Sequence, residues 1–124
     1  MSFETINPHS GEIIDRHSVD SNEDISDKLK KSQVAYKAWK DFSVDKRCQY
    51  IFQLKTHLEK HQEAMAKTIT LEMGKPLQQS LSELDKCGHM LQFYGENAEE
   101  FLADEPIKTQ YQTSYISYQP QGCI

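Results

Sequence analysis

The stretch TLEMGKP, Thr70 to Pro76, joins two helical patterns and sets the organisation of the chain. Its apolar run followed by Gly-Lys is superficially similar to the end of a phosphate-binding loop. That loop needs a second glycine upstream and a Ser or Thr directly after the lysine, and this stretch has neither. Gly74 is suited to closing a helix in the left-handed conformation, and Pro76 to opening the next helix. We therefore predict a helix stop followed by a helix restart.

The pattern after Pro76 predicts the longest helix of the chain. Its apolar and small residues recur at spacings of four and three, which forms a heptad-like seam. The seam consists of Leu77, Leu81, Leu84, Gly88, Leu91, Gly95, Ala98 and Leu102, and an arc beside it of Cys87, Met90, Tyr94 and Phe101. The arc indicates contacts on two sides, and the seam glycines leave room for a close neighbour. At ~1.5 Å per residue the helix is about 36 Å long, so we expect it to pack against something outside this chain.

A hairpin and shorter helices are predicted upstream. The stretch FETINPHSGEII has β-prone runs around a turn with proline second and glycine at the exit, which predicts a hairpin over residues 3–14. Ser21 precedes Asp24 by three residues in a variant of the capping box, and Ser43 is suited to capping a second helix. With a bend near His61, helices are expected to fill residues 22–102. The expected apolar sides are Ile25, Leu29, Tyr36 and Trp39, then Cys48, Ile51, Phe52, Leu54 and Leu58, then Met65, Ile69 and Leu71.

The end of the chain has the alternation of a strand. From Tyr111 to Tyr118, tyrosines and small polar residues alternate, which predicts an extended strand over residues 109–119 that is polar on both faces apart from its tyrosines. Such a strand is typical of a sheet edge that pairs with another sheet. The predicted fold class is α+β: an N-terminal β-hairpin, a helical layer with one long helix and a C-terminal extended strand.

Composition excludes several partners. The 124 residues carry 19 acidic and 14 basic side chains, a formal charge of -5, so we expect no nucleic-acid partner. No apolar run approaches the ~20 residues of a membrane span, and the first residues lack the pattern of a signal peptide, so we expect no membrane partner. Three scattered cysteines suit reduced thiols. The expected location is cytoplasmic.

The residues by themselves predict no catalytic, cofactor-binding or metal-binding site. Cys87 and His89 are two apart, so they would not face each other on a helix, and Cys87 is expected to be a small buried hydrophobe. His57 and His61, one helical turn apart, lack a third metal ligand and are expected to be exposed on a charged face. Glu72 and Lys75 have no positioned partner and are expected to be helix-end charges.

These patterns together resemble one known family. Almost the whole chain is similar to the N-terminal region of NAD(P)-dependent aldehyde dehydrogenases. The matching stretches are INPHSGEII, AYKAW, the run KRCQYIFQLKTHLEKHQEAMAKTITLEMGKPLQQSLSEL, FYGENAEE and SYISYQPQGCI. The sharpest matches are Asn7-Pro8 with Gly11-Glu12, residues 72–76, and Tyr118 through Gly122. The residues EMGKP with Gln79 and Glu83, and ADEPI, are most similar to the succinate-semialdehyde branch.

The resemblance implies that residues 1–124 are the N-terminal part of a cofactor-binding domain, with an assembly strand at 109–119 and the catalytic domain absent. In that family a cysteine thiolate attacks the aldehyde, a hydride passes to NAD or NADP, and a glutamate-activated water releases the carboxylate. No residue here inherits a catalytic or cofactor role, so we expect this chain alone to bind no cofactor and to be inactive. The resemblance places Lys86 and Met90 at the wall of a substrate tunnel.

Two functional hypotheses follow. In the first, the chain is a fragment of an aldehyde dehydrogenase whose parent oxidises a small aldehyde such as succinate semialdehyde, and its partners are the remainder of that fold or homologous subunits met through Tyr111 to Tyr118. In the second, it is a non-catalytic helical interaction module that binds a partner through the same edge strand. Aggregation through exposed apolar surface would favour the first, and an isolated monodisperse protein the second.

Overall fold

The structure, a computed structural model, describes residues 2–123 and has the predicted mixture of helices and strands. The strands are β1 (Ser2–Ile6), β2 (Ile13–Ser18), β3 (Glu105–Pro106) and β4 (Tyr115–Ile116). The helices are α1 (Asn22–Trp39), α2 (Val44–Lys60), α3 (Gln62–Met73) and α4 (Leu77–Phe101). Antiparallel pairs β1–β2 and β3–β4 form two separate two-stranded sheets.

The N-terminal hairpin is confirmed, but its second strand continues beyond residue 14 to Ser18. The Asn7 side-chain oxygen accepts a hydrogen bond from the His9 backbone at 2.9 Å, and Gly11 has a positive φ of 74°, which together turn the chain. The backbone ladder runs from Ser2 opposite Ser18 to Ile6 opposite Ile13, and the hydroxyl of Thr5 bonds the ring of His17 across it at 2.9 Å.

Both predicted serine caps form. The Ser21 hydroxyl accepts from the Asp24 backbone N–H at 3.1 Å, and the Asp24 carboxylate accepts from the Ser21 backbone N–H at 3.0 Å, which completes the capping box of α1. The Ser43 hydroxyl accepts from the Lys46 backbone N–H at 3.2 Å at the start of α2. These bonds satisfy backbone donors that have no partner inside the helix.

The breaks between α2, α3 and α4 lie where the sequence predicts them. His61 separates α2 from α3 with φ -110° and ψ 12°, outside the helical region. Gly74 ends α3 with φ 68° and ψ 16°, and its backbone N–H bonds the carbonyl of Thr70. Pro76, which was expected to open α4, is its N-cap, and Leu77 is the first helical residue.

The core is the contact of α2 and α3 with the seam of α4. Ser80, Leu84 and Gly88 are the buried residues of α4, facing a core that also contains Cys48 of α2 and Ala66 of α3. The hydroxyls of Thr70 and Ser80 lie 3.2 Å apart across the α3–α4 contact and pair inside it. The seam prediction is confirmed along the middle of α4, while Leu77 and Leu102 at its ends are each 43% exposed.

Several packing expectations are wrong, including those for Leu54 and Leu71, which are 51% and 46% exposed. The apolar side predicted for α1 contributes no buried residue. Cys87 is exposed because the arc beside the seam faces away from α2 and α3. Gly88 was expected to leave room for a close neighbour, but an alanine Cβ there would meet nothing within 4 Å. Only Gly95 has such a neighbour.

The strand predicted over residues 109–119 forms only at Tyr115–Ile116, where it pairs with Glu105–Pro106. A two-stranded pair is marginally stable by itself, and side-chain alternation needs a neighbouring strand to become a ladder. The Thr109 hydroxyl also accepts from the Tyr111 backbone at 3.1 Å, a local bond that replaces strand pairing there.

Candidate functional site

An open depression of about 440 Å³ lies beside the first turns of α4. Its lining residues are Lys75, Gln78, Gln79, Ser82, Glu83 and Lys86. Lys75 and Glu83 form an ion pair across it, and the Lys75 ammonium lowers the pKa of the Glu83 carboxyl below its ordinary value. Both side chains are substantially exposed, so the pair orients two polar groups and adds little stability.

The two residues expected at a tunnel wall lie on this side of α4. Lys86 lines the depression, and Met90, one helical turn further on, is 59% exposed. Residues four apart on a helix are neighbours on its surface. Residues 2–123 bring the two side chains to one side of α4 but do not enclose them.

Side chains that could carry chemistry are scattered. Cys48 is buried in the core, Cys87 and Cys123 are exposed, and all three are free. The rings of His57 and His61 have centroids 4.4 Å apart on the exposed surface of the α2–α3 junction. Within residues 2–123, no group of three or more His, Cys, Asp and Glu side chains is placed to hold a metal ion. The structure therefore adds no third ligand to the histidine pair.

Many large apolar side chains are exposed. On α4 the arc beside the seam is open, and its members Met90, Tyr94 and Phe101, together with the adjacent Phe93, are between 46% and 59% exposed. Phe93, Tyr94 and Phe101 contact one another, with ring centroids 5.5 to 6.2 Å apart. On α1, Leu29 and Val34 are 57% and 69% exposed. Apolar surface of this extent is typical of protein or membrane contact sites, ligand-binding grooves and surfaces prone to aggregation.

The C-terminal segment is held by tyrosine hydroxyls. Tyr36 of α1 donates to the carbonyl of Pro120 at 2.9 Å, and Tyr118 donates to the carboxylate of Glu105. The hydrogen bond to Glu105 raises the pKa of Tyr118 above its ordinary value because it holds the phenol proton, and the negative charge of Glu105 raises it further. Tyr111 and Tyr115, which were expected at an assembly edge, are 72% and 55% exposed.

The sequence analysis missed one site, which we call the basic pocket. It has a volume of about 210 Å³, and Lys40, Arg47, Leu102, Tyr118 and Pro120 are among its lining residues. Lys40 and Arg47 lie on either side of the α1–α2 turn and meet the other residues only through tertiary packing. No local signal in the sequence could have predicted it.

None of the helices formed by residues 2–123 has the length and hydropathy needed to cross a membrane.

The fold and the sequence together define the class of protein. The family model described as "Aldehyde dehydrogenase family" matches residues 1–124, and the chain belongs to that family.

Two curated relatives are named as succinate-semialdehyde dehydrogenases. The chain is 34% identical over 124 residues to a probable succinate-semialdehyde dehydrogenase of Synechocystis sp. whose name specifies NADP(+), covering 100% of this chain and 27% of that protein. It is 30% identical over 120 residues to the Escherichia coli succinate semialdehyde dehydrogenase Sad, named for NAD(P)+, covering 97% of this chain and 26% of that protein. The chain thus spans about a quarter of the length of the curated relatives it matches.

Solved structures share the fold of this chain. The structure of Gox0499 superposes with a TM-score of 0.92 and 28% identity, covering 97% of this chain and 26% of that one. The succinic semialdehyde dehydrogenase of Streptococcus pyogenes, solved with NADP+, superposes with a TM-score of 0.82 and 26% identity, covering 91% of this chain and 25% of that one. The resemblance to this family and to its succinate-semialdehyde members is confirmed.

Proposed function

We propose that these residues form the N-terminal part of an aldehyde dehydrogenase subunit that oxidises a small aldehyde, succinate semialdehyde in particular, to the carboxylate with NAD or NADP. The observation that carries the proposal is the match along the whole chain to relatives about four times as long that are named for this substrate. A cytoplasmic location belongs to the same proposal and is supported by the three free cysteines.

The exposed apolar surface supports this role. The arc on α4 is open and α1 buries no residue within residues 2–123, whereas a free-standing domain buries more of its large apolar side chains. The proposed cover is the remainder of the subunit. Tyr111 to Tyr118 are proposed to pair with homologous subunits, supported by the exposure of Tyr111 and Tyr115.

We assign no cofactor contact to these residues. A dinucleotide site of this kind needs closely spaced glycines that let the backbone approach the pyrophosphate. The five glycines of the chain, at positions 11, 74, 88, 95 and 122, do not have that spacing. The residues described here therefore do not fit the nicotinamide cofactor.

Lys86 and Met90 are proposed to contribute to the wall of the substrate tunnel. Their shared side of α4 and their exposure support this role, since both side chains are free to meet the remainder of a subunit. The ammonium of Lys86 would attract a carboxylate-bearing aldehyde, and the flexible Met90 would line an apolar stretch.

The test is a chimera in which residues 1–124 replace the matched segment of the Synechocystis relative. We expect this chimera to reduce NADP+ when supplied with succinate semialdehyde, whereas the relative lacking the segment is inactive. Residues 1–124 alone should reduce neither NAD nor NADP. A chimera that folds as a native-sized oligomer without activity, or turnover by residues 1–124 alone, would contradict the proposal.

The tunnel is tested in the same chimera. Lys86→Ala and Met90→Trp should raise KM for succinate semialdehyde several-fold, with kcat changed less, because they alter substrate entry. Glu99→Ala, on an exposed position near the end of α4, is the matched control and should leave both constants unchanged. Equal effects of all three substitutions would show that the two residues have no special relation to substrate.

The alternative, a non-catalytic module that binds through its edge strand, predicts a different result. Residues 1–124 would then be monodisperse alone and would bind a full-length homologue, with Tyr115→Lys abolishing the complex. Aggregation relieved by adding the remainder of the subunit supports the dehydrogenase proposal.

A further inference from the structure

Two lysines compete for one carboxylate beside the first turns of α4. Lys75, Glu83 and Lys86 all line the depression described above. Glu83 lies three residues before Lys86, so these two side chains are neighbours of opposite charge on the helix surface. The structure nevertheless pairs Glu83 with Lys75. The hydrogen bond from Lys75, and then its charge, lower the pKa of Glu83, and the charge of Lys86 lowers it less.

Lys75 is the lysine whose backbone is held in place. It lies between Gly74, which ends α3 with a left-handed φ of 68°, and Pro76, the N-cap of α4. Pro8 of the hairpin turn lies so close to Gly74 that an added Cβ would be 3.0 Å from its Cγ. The side chain of Lys75 is 37% exposed, compared with 65% and 75% for the paired lysines of α1. A constrained lysine loses less conformational freedom when it forms an ion pair than a freely rotating one.

Within residues 2–123, no other carboxylate neutralises Lys86. The acidic residues within one turn of it on α4 are Glu83 and Asp85. The Asp85 carboxylate accepts a hydrogen bond from the side-chain amide of Gln62, on the α3 side of the helix. Lys86 itself forms no ion pair with the described part of the chain. Both of its acidic neighbours are therefore bonded elsewhere, and its positive charge is not neutralised.

We propose that Lys75 is a positioning residue: by holding Glu83, it keeps the ammonium of Lys86 unpaired, so that the tunnel wall favours an aldehyde that carries a carboxylate. This inference rests on the proposed function and on the proposed place of Lys86 at the tunnel. Without Lys75, Glu83 and Lys86 would pair along the helix and their charges would cancel.

The test compares two aldehydes of equal length in the chimera described above: succinate semialdehyde, which carries a carboxylate, and butanal, which does not. Lys75→Gln should raise KM for succinate semialdehyde about threefold to fivefold at low ionic strength, the effect of about one contact between unit charges in water. It should leave KM for butanal unchanged, and kcat should change less with either aldehyde. Lys75→Arg, which keeps the ion pair, should behave like the unmodified chimera. Lys30→Gln, which breaks an ion pair of α1, is the matched control and should change neither KM.

Two double variants show whether the effect passes through Glu83 and Lys86. Lys75→Gln combined with Glu83→Gln should restore KM for succinate semialdehyde, because no carboxylate then remains to pair with Lys86. In the Lys86→Ala background, Lys75→Gln should have no further effect. The positioning role is overturned if Lys75→Gln leaves the ratio of the two KM values unchanged in an active chimera, or if its effect persists without Lys86. Either result would leave the proposed oxidation intact.

A measurement on residues 1–124 tests the exchange of partners without any turnover. Carbon-13 NMR follows the titration of the Glu83 carboxyl. Lys86→Gln should raise the pKa of Glu83 more in the Lys75→Gln background than in the unmodified chain, because Lys86 becomes the partner only when the ammonium of Lys75 is absent. Equal increases in the two backgrounds would overturn the inference, whereas an unmodified chimera that folds without activity would contradict the proposed function.

Discussion

Gly88 and Gly95 occupy equivalent places on the seam of α4 but differ in what surrounds them. A Cβ added at Gly95 would lie 2.6 Å from an edge carbon of the Phe52 ring, whereas one added at Gly88 would meet nothing within 4 Å. Helix propensity favours alanine over glycine by about 1 kcal/mol at both positions. The steric contact therefore reverses the expected effect of an alanine substitution on stability at Gly95 but not at Gly88.

We expect Gly88→Ala to stabilise the fold by about 0.5–1 kcal/mol and Gly95→Ala to destabilise it by about 1–2 kcal/mol, because overpacking exceeds the gain in propensity. Urea unfolding followed by circular dichroism measures both. Phe52→Leu should remove most of the penalty at Gly95, as a double-mutant cycle would show. Equal changes at the two glycines would contradict the close contact with Phe52.

Gly74 combines two requirements in the loop between α3 and α4. Its φ of 68° is disfavoured for residues with a Cβ, and an added Cβ would lie 3.0 Å from Cγ of Pro8 in the hairpin turn. Gly74→Ala should therefore destabilise the fold by at least about 1–2 kcal/mol, measured by urea unfolding. The background Pro8→Ala relieves only the contact, so part of the loss should persist there. Full recovery in that background would mean that backbone conformation contributes nothing.

At the scale of single elements, the two serine caps begin helices that differ in how much they contribute to the core. α2 packs in the core and contains buried Cys48, whereas α1 has no buried residue. Ser43→Ala should thus lower the global free energy of unfolding by about 1 kcal/mol. Ser21→Ala should shorten α1 at its start, visible in backbone chemical shifts, with the global unfolding midpoint unchanged. A global loss from Ser21→Ala would show that α1 belongs to the cooperative core.

The capping box also gives α1 a pH dependence. The hydroxyl and backbone N–H of Ser21 donate to the Asp24 carboxylate, with Lys28 adding attraction, and hold the pKa of Asp24 below its ordinary value. A lowered pKa in the folded state means that stabilisation is complete above the unfolded pKa of about 3.9 and is lost as pH falls through the folded pKa.

Acidification should therefore unwind the first turn of α1, which NMR shifts of residues 22–26 would follow. Asp24→Asn should remove that transition, while Asp27→Asn, one turn further on and outside the capping box, should keep it. A transition unaffected by Asp24→Asn would assign the acid sensitivity to other groups.

At the scale of the molecule, stability is distributed unevenly. The packed unit consists of α2, α3 and α4, while α1 adds no buried side chain and every strand residue is at least partly exposed. Amide hydrogen exchange of residues 1–124 should be slowest in the middle of α2 and α4 and faster by orders of magnitude in α1. Binding of the proposed remainder of the subunit should slow exchange in α1 selectively. Equal protection of all four helices in the isolated chain would contradict this division.

The accuracy of the sequence predictions followed the range of the interaction. The sequence correctly predicted the helix caps at Ser21 and Ser43 and the helix ends at His61 and Gly74. Caps and helix stops depend on bonds between residues a few positions apart. Tyr111 to Tyr118 were predicted as a strand from alternation, but a strand forms only where another strand pairs with it, and only Tyr115–Ile116 has such a partner. The basic pocket was missed because its residues come from distant parts of the chain.

The sequence by itself determined the hairpin turn, the order and bounds of the helices, and membership of the family, since these depend on local backbone bonding and on residue order. Only the tertiary structure decided that α2 and α3 cover the Leu84 and Gly88 side of α4 and leave the arc with Cys87 and Met90 open. It also decided that Phe52 meets Gly95 and that Arg47 faces a pocket. The physical reason is that burial depends on where separate helices cross, which side-chain periodicity along one helix does not specify.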